Sequence, residues 1–156
     1  MSVKITISRA TKRDLSGCLA LINELAEYEN APHEVDLDLQ QFEYDFDNKT
    51  FSAFVALDQN NNVLGMALYY QIYSTWKGTS IHLEDLVVKA SERRKGIGKM
   101  LFDKVLKEAQ NIKAGRLQWQ VLDWNKPAIE FYKTYPAEFD REWINVKISK
   151  NQLQEK

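Results

Sequence analysis

An apolar run with two adjacent carboxylates, Leu83-Glu84-Asp85-Leu86-Val87-Val88, leads into Arg93-Arg94-Lys95-Gly96-Ile97-Gly98-Lys99. A helical pattern starts at once through Ile97, Leu101, Val105, Leu106 and Ala109. A strand, a glycine loop and a helix start in that order aim first-turn N–H groups, which have no intrahelical acceptors, at one point. The positive end of the helix dipole favours an anion there, and phosphate fits it. Gly96 and Gly98 let the backbone approach a ligand with no Cβ in the way. Arg93, Arg94, Lys95 and Lys99 add positive charge around the same point.

A bare G-x-G before a helix also arises as ordinary turn and cap glycines. The dinucleotide fingerprint needs a third glycine where Leu101 stands, and the P-loop spacing G-x-x-x-x-G-K-S/T is absent. What is present is R-x-x-G-x-G, on Arg93, Gly96 and Gly98. Glu84 and Asp85 admit two readings, a proton acceptor with its neighbour or a solvated strand end. Adjacent residues of a regular strand face opposite sides. Both can line one pocket only if a bulge interrupts the strand between them and Val88.

The elements that must position these residues follow from periodicity. Val3–Ser8 alternates as a half-buried strand. Thr11 with Asp14 forms a variant capping box for a helix over about Lys12 to Glu29, with Leu15, Leu19, Ile22 and Leu25/Ala26 as its buried stripe. Pro32 breaks the path, and Asp36 to Phe46 reads as a second short helix presenting Leu39, Phe42 and Phe46. Strands over Phe51–Leu57 and Val63–Ile72 flank the turn Asp58-Gln59-Asn60-Asn61-Asn62. Tyr73–Thr79 is a loop and Ser80–Val88 a third strand. The helix Gly96–Ile112 has Gly115 just past its end. A strand Arg116–Asp123, a helix Asn125–Thr134 with Pro127 in its first turn, and a strand Trp143–Ile148 complete the chain. The fold class is α/β, with a mixed central sheet in the order β-α-α-β-β-β-α-β-α-β. The unit from Ser80 to Asp123 is expected to join parallel strands by a right-handed crossover.

The 156 residues fit one domain over 1–156, with 150–156 as a polar tail expected to fray. Twenty-one basic and 22 acidic residues leave a formal charge of −1, so no global basic field points to nucleic acid. Cys18 is the only cysteine, which excludes an internal disulfide and suits a reducing compartment, here read as the cytoplasm. The N-terminus, Met1 to Ile7, lacks the apolar run of a signal peptide, no apolar stretch approaches the length of a membrane span, and no membrane partner is expected. No His/Cys/Asp cluster has metal-ligand spacing, so no metal is expected.

The R-x-x-G-x-G loop after a strand resembles the acetyl-CoA pyrophosphate loop of the GNAT acetyltransferase superfamily, and the element order matches that fold. Further segments resemble its diamine branch, the spermidine/spermine and thialysine acetyltransferases. They are Leu25-Ala26-Glu27-Tyr28-Glu29, Ala67-Leu68-Tyr69-Tyr70, Trp76-Lys77-Gly78 before His82-Leu83-Glu84-Asp85, and Trp124-Asn125-Lys126-Pro127-Ala128-Ile129-Glu130-Phe131-Tyr132. The resemblance implies that Leu86, Val87 and Val88 offer backbone partners to the pantetheine arm of acetyl-CoA. It implies that Arg94 through Lys99, that is Arg94, Lys95, Gly96, Ile97, Gly98 and Lys99, cradle the pyrophosphate beside Arg93. Asn125 and the turn through Ala128 contact the same co-substrate, and Tyr132 is the catalytic acid. Tyr28, Glu29, Trp76, Glu84, Asp85, Gln118, Trp119 and Gln120 surround the acceptor amine, and the assembly is a homodimer. Two departures stand out. Ser74 and Thr75 replace an aspartate–proline pair common in the polyamine enzymes, removing one negative charge from the acceptor pocket. Pro136-Ala137 replaces a usual Gly-Ala.

Acetyl transfer to an amine needs an acceptor for the ammonium proton, a donor for the oxyanion and a proton for the leaving thiolate. A lysine-like amine ordinarily titrates near ~10.4. Glu84 is the candidate base, directly or through water, and an N–H near Leu86 the candidate oxyanion donor. The phenol of Tyr132 suits the protonation of a thiolate. A small cationic amine suits the acid gathered in the first third of the chain and the faces of Tyr28 and Trp76. Trp119 and Trp124 also read as packing aromatics, and His82 reads as a partly exposed strand residue sooner than as a base. The same residues leave open a protein lysine or N-terminal acetyltransferase and a non-catalytic acyl-CoA-binding module.

Overall fold

β-Branched and aromatic runs separated by polar turns build the sheet. The computed structural model describes residues 3–154. Five strands lie in sequence order: β1 (Thr6–Arg9), β2 (Ser52–Leu57), β3 (Val63–Ser74), β4 (Gly78–Val88) and β5 (Leu117–Trp119). The first four pair antiparallel and β4 pairs parallel with β5, giving the mixed sheet expected from the sequence. The helices are α1 (Leu15–Tyr28), α2 (Leu39–Asp47), α3 (Ile97–Asn111), α4 (Lys126–Tyr132) and a single turn, α5 (Lys150–Leu153). No described helix is long and apolar enough to cross a membrane.

The chain divides into two compact units, one ending at Gln120 and one starting at Val121. In the first unit β2 is buried on both faces, so its side chains alternate between two cores. Ala53, Val55 and Leu57 join Met66, Leu68 and Val87 under Leu15, Cys18 and Leu21 of α1 and Phe42 of α2. Phe42 stacks on Phe51 at 4.9 Å. On the other face α3 buries Ile97, Leu101, Phe102, Val105 and Ala109. Arg9 ties that face together, donating to the Tyr69 hydroxyl at 3.2 Å and to Glu108 at 2.8 Å.

Local chemistry sets the element ends. The Asp14 carboxylate accepts from the Thr11 N–H at 2.8 Å and the Thr11 hydroxyl at 3.1 Å, so the capping box forms as expected, on a 3-10 turn ahead of α1. Helices α1, α2 and α3 all end in paired i→i−5 and i→i−3 bonds around a left-handed residue: Asn30, Lys49 and Lys113. The cap of α3 is therefore Lys113 and not the expected Gly115. Gly115 serves a close approach instead, since a Cβ there would lie 1.9 Å from the Lys77 carbonyl oxygen. Its N–H donates to Thr79. In the β3–β4 turn the Ser74 hydroxyl accepts from the N–H groups of Trp76 and Lys77, so this residue builds the turn.

Two expected strands differ. Arg116–Asp123 contracts to Leu117–Trp119, the only stretch laddered to β4. Trp143–Ile148 forms no strand among the described residues, although its alternation is strand-like. A strand needs neighbours for its N–H and C=O groups, and periodicity alone does not supply them. In this second unit Ile144 and Val146 stand 87% and 89% exposed. The tail gains a helical turn, α5, because Gln152 accepts from the N–H and hydroxyl of Ser149. Helix α4 is started by Asn125, whose Oδ1 accepts from Ala128, and its Phe131 packs edge-on against Tyr132 and Tyr135.

Candidate functional site

A register shift in β4 decides which side chains meet. Leu68 of β3 lies opposite Asp85, but the next residue, Tyr69, lies opposite Leu83. Glu84 is the extra residue of a bulge. The required interruption is therefore present, at Glu84 itself and not beyond the pair. Its effect is visible downstream. Leu83 shares the α3 face with Tyr69, whereas Val87, four residues on, sits in the α1/α2 core with Met66. Asp85 follows Leu68 onto the α1/α2 face.

Glu84 lies on that face too. Its Oε2 accepts from the Tyr70 hydroxyl at 2.9 Å and lies 3.3 Å from His82 Nε2. Tyr70 and His82 are register partners with ring centroids 5.3 Å apart. Gln118 of β5 reaches His82 Nδ1 at 3.3 Å. Burial and the neighbouring Glu84 push the Tyr70 phenol up to about 12.

Asp85 is largely withdrawn from solvent. Burial first, then the charges of Glu84 and Glu29, push its carboxyl up to about 6. Glu29, at the C-terminal end of α1, is itself shifted upward by burial. Three carboxylates thus face one region, an arrangement suited to an incoming ammonium. Tyr28 borders it, with the Arg93 guanidinium 5.3 Å over its ring.

Other expected residues are placed elsewhere. Trp119 lies beside Leu83 and packs edge-on against Phe102 of α3 at 5.1 Å, on the opposite face from the carboxylates. Trp76 stands 78% exposed at the hairpin tip. Seven residues lie between it and Glu84, and the strand from Gly78 to Glu84 alone spans roughly 20 Å. Gln120 lies just beyond the β5 ladder. A hollow of about 350 Å³ between β3 and the end of α3, lined by Tyr69, Ile81 and Glu108, is on the α3 face as well.

The glycine loop follows β4 directly. Arg93 Nε donates to the Val88 carbonyl, and Arg94 and Gly96 take left-handed φ values of 64° and 79°. Gly96 caps α3 without a side chain, and the first bond inside the helix runs from Met100 to Gly96. The N–H groups of Ile97, Gly98 and Lys99 therefore have no intrahelical acceptor. A Cβ on Gly98 would meet only Val88, at 3.8 Å, so packing does not demand glycine there and the space beside it is open. Lys95 and Lys99 are paired to Glu92 and Asp103. The backbone and Arg94 thus contribute more of the positive field than the sequence suggests. The ladder to β5 ends at Leu83–Trp119 while β4 runs on to Val88, so residues 84–88 have a backbone edge outside that ladder. A strand edge outside the β5 ladder and a helix start follow one another, which suits an extended arm ending in phosphates.

In the second unit Tyr132 is buried on α4, 7% exposed. The Asn125 side chain and the Ala128 N–H are engaged with each other in the cap. Among the described residues no group of three or more His, Cys, Asp or Glu side chains could hold a metal ion. His82 is the participant that sequence reasoning passed over. Its signal was its position two residues before Glu84, which puts both side chains on one face of the strand.

The acetyltransferase (GNAT) family model matches residues 18–135. The chain is 37% identical over 142 residues to the thialysine N-epsilon-acetyltransferase of Sus scrofa, covering 85% of this chain and 84% of that protein. It is 38% identical over 116 residues to the thialysine N-epsilon-acetyltransferase of Caenorhabditis elegans, covering 74% and 72%. An integron cassette protein from the mobile metagenome of V. cholerae has the same fold, with a TM-score of 0.74 at 24% identity over 97% of this chain and 96% of that one.

Two outcomes are expected. Gly98→Ala gains helix propensity, up to about 1 kcal/mol, so the free protein melts slightly higher. The added methyl obstructs the amide cradle, and coenzyme A affinity by calorimetry falls about tenfold or more, as for one lost charge-assisted bond. Equal affinity would remove the cradle. Asp85 gives the second. A carboxyl raised by folding binds its proton more tightly folded than unfolded, so its contribution to stability falls as pH rises from about 4 to about 6. The span is worth about 3 kcal/mol. Asp85→Asn is expected to unfold at higher temperature or denaturant than wild type at pH 7.5 and to lose that advantage near pH 4. A pH-independent difference would contradict the assignment.

Proposed function

The chain belongs to the GNAT acetyltransferase family, whose co-substrate is acetyl-CoA, and we propose that it acetylates a small cationic primary amine such as thialysine, another lysine analogue or a diamine. The observation that carries this reading is the bulge at Glu84, which turns two neighbouring carboxylates to one face beside Glu29. The relatives named for thialysine acetylation support the acceptor class.

In this reading Glu84 takes a proton from the acceptor ammonium, directly or through water. The ionised Asp85 and Glu29 hold the cation while Tyr28 offers an aromatic face. The freed amine attacks the thioester carbonyl, and an N–H near Leu86 donates to the developing oxyanion. The carbon–sulfur bond breaks and Tyr132 gives its proton to the thiolate; of the two protons still on the nitrogen, one is lost to water or to the Tyr132 phenolate and the other stays on the amide product. The edge of Leu86, Val87 and Val88 holds the pantetheine arm, the amides of residues 94–99 hold the pyrophosphate beside Arg93, and Asn125 and Ala128 contact the same co-substrate.

The domain is read as single, the compartment as the cytoplasm and the assembly as a homodimer. Support for the last is the strand-like segment Trp143–Ile148, whose aliphatic residues stand in water in one copy. A second support is Trp76, too far along its ribbon to touch an acceptor held by Glu84 of the same chain.

Purified protein with acetyl-CoA is expected to release free coenzyme A with thialysine, lysine or a diamine, and Tyr132→Phe to lower kcat by about 10²-fold or more with little change in co-substrate affinity. No turnover across that panel would refute the acceptor class, and an undiminished Tyr132→Phe rate would remove the acid. Sedimentation is expected to give twice the 18.2 kDa chain mass, and Val146→Asp to yield monomer. A monomeric wild type at micromolar concentration would end the dimer reading.

A further inference from the structure

We propose that His82, Tyr70 and Gln118 are positioning residues that clamp one oxygen of Glu84 and so present the other to the acceptor. The inference rests on the reading of Glu84 as the base. It starts from a row of register partners across three strands: Tyr70 of β3 opposite His82 of β4, and His82 opposite Gln118 of β5. All three lie on the face that Glu84 presents, two residues on from His82 along β4. The bulge then adds Asp85 to the same face.

The hydrogen-bond chemistry sets the direction of each contact. The Gln118 amide nitrogen is a donor only, so His82 Nδ1, 3.3 Å away, must accept. The ring proton then sits on Nε2, which faces Glu84 Oε2 at 3.3 Å. Tyr70 donates its hydroxyl proton to the same Oε2 at 2.9 Å. Two donors converge on Oε2. Oε1 is the oxygen left for a ligand, and it belongs to a side chain 50% exposed, whereas the His82 side chain is only 14% exposed. The clamp is the inner, dry side of the base and Oε1 is its wet side.

The arrangement has a catalytic consequence. A half-exposed glutamate otherwise samples many rotamers, and ordering it when the acceptor arrives costs conformational entropy. Here the ordering is done beforehand. When the acceptor R–NH3⁺ gives up a proton, the N–H bond breaks and an O–H bond forms at Oε1, while both bonds to Oε2 persist. The other titratable groups facing this cluster are Asp85, next along β4, and Glu29 at the end of α1, which faces Asp85. Neither donates to Glu84, so the clamp depends on His82 and Tyr70.

The test uses full-length enzyme with thialysine and acetyl-CoA. His82→Phe, which keeps the ring and loses the donor, is expected to lower kcat roughly tenfold to a hundredfold, the value of a hydrogen bond to a charged group. The KM for acetyl-CoA is expected to stay within about twofold, because the co-substrate site is not touched. His82→Gln places an amide N–H near the former Nε2 and is expected to recover most of the lost rate. In a Glu84→Gln background His82→Phe is expected to add no further loss, since its effect runs through Glu84. Coenzyme A binding by calorimetry checks that each variant is folded. An additive loss in the Glu84→Gln background, a His82→Gln enzyme as slow as His82→Phe, or an unchanged His82→Phe rate overturns the clamp alone. A Glu84→Gln enzyme with wild-type kcat overturns the base and the clamp with it.

Discussion

Side chains on a strand alternate with a period of two, and in β4 a single inserted residue breaks that rule. Before the bulge, Ile81 and Leu83 serve the core under α3. After it, Val87 serves the core under α1 and α2. The strand can satisfy both apolar cores only by spending Glu84 on the changeover. That geometry leaves Glu84 and Asp85 on one side, pointing where neither would point together in a regular ribbon. The polar face of Tyr70, His82 and Gln118 is the other half of the same arrangement.

The bulge also marks where β4 and β5 part company. Their ladder ends at Leu83 and Trp119, while β4 continues five residues further into the loop that starts α3. The unladdered edge, the left-handed turn at Gly96 and the open first turn of α3 therefore follow one another along the chain. Positive charge in the loop is moderated by Glu92 and Asp103, which pair with Lys95 and Lys99, whereas the first-turn N–H groups of α3 are held in place by the helix.

Much of this was legible in the residues. The period of Ile97, Leu101 and Val105 gave α3, Asp58 to Asn62 gave the hairpin turn, and Gly96 marked where α3 starts. The adjacency of Glu84 and Asp85 stated a condition, a bulge, without revealing at which residue it would fall. His82 was opaque because its role depends on cross-strand register with Tyr70 and Gln118, which no local pattern encodes. Trp119 is a packing residue because the parallel pairing at Leu83 turns it toward Phe102. The segment at Trp143 has the alternation of a strand and no ladder, since periodicity describes faces and not neighbours.

Gly115 carries an implication for the hairpin that bears Tyr73 and Trp76. The backbone at 115 presses against Lys77 so closely that no side chain fits, and its N–H grips Thr79. The Ser74 hydroxyl staples the opposite flank of the tip. A solvent-facing indole on so firmly braced a ribbon is preorganised. The backbone is already ordered when another surface covers it, so only the rotamer freedom of the side chain itself is surrendered there.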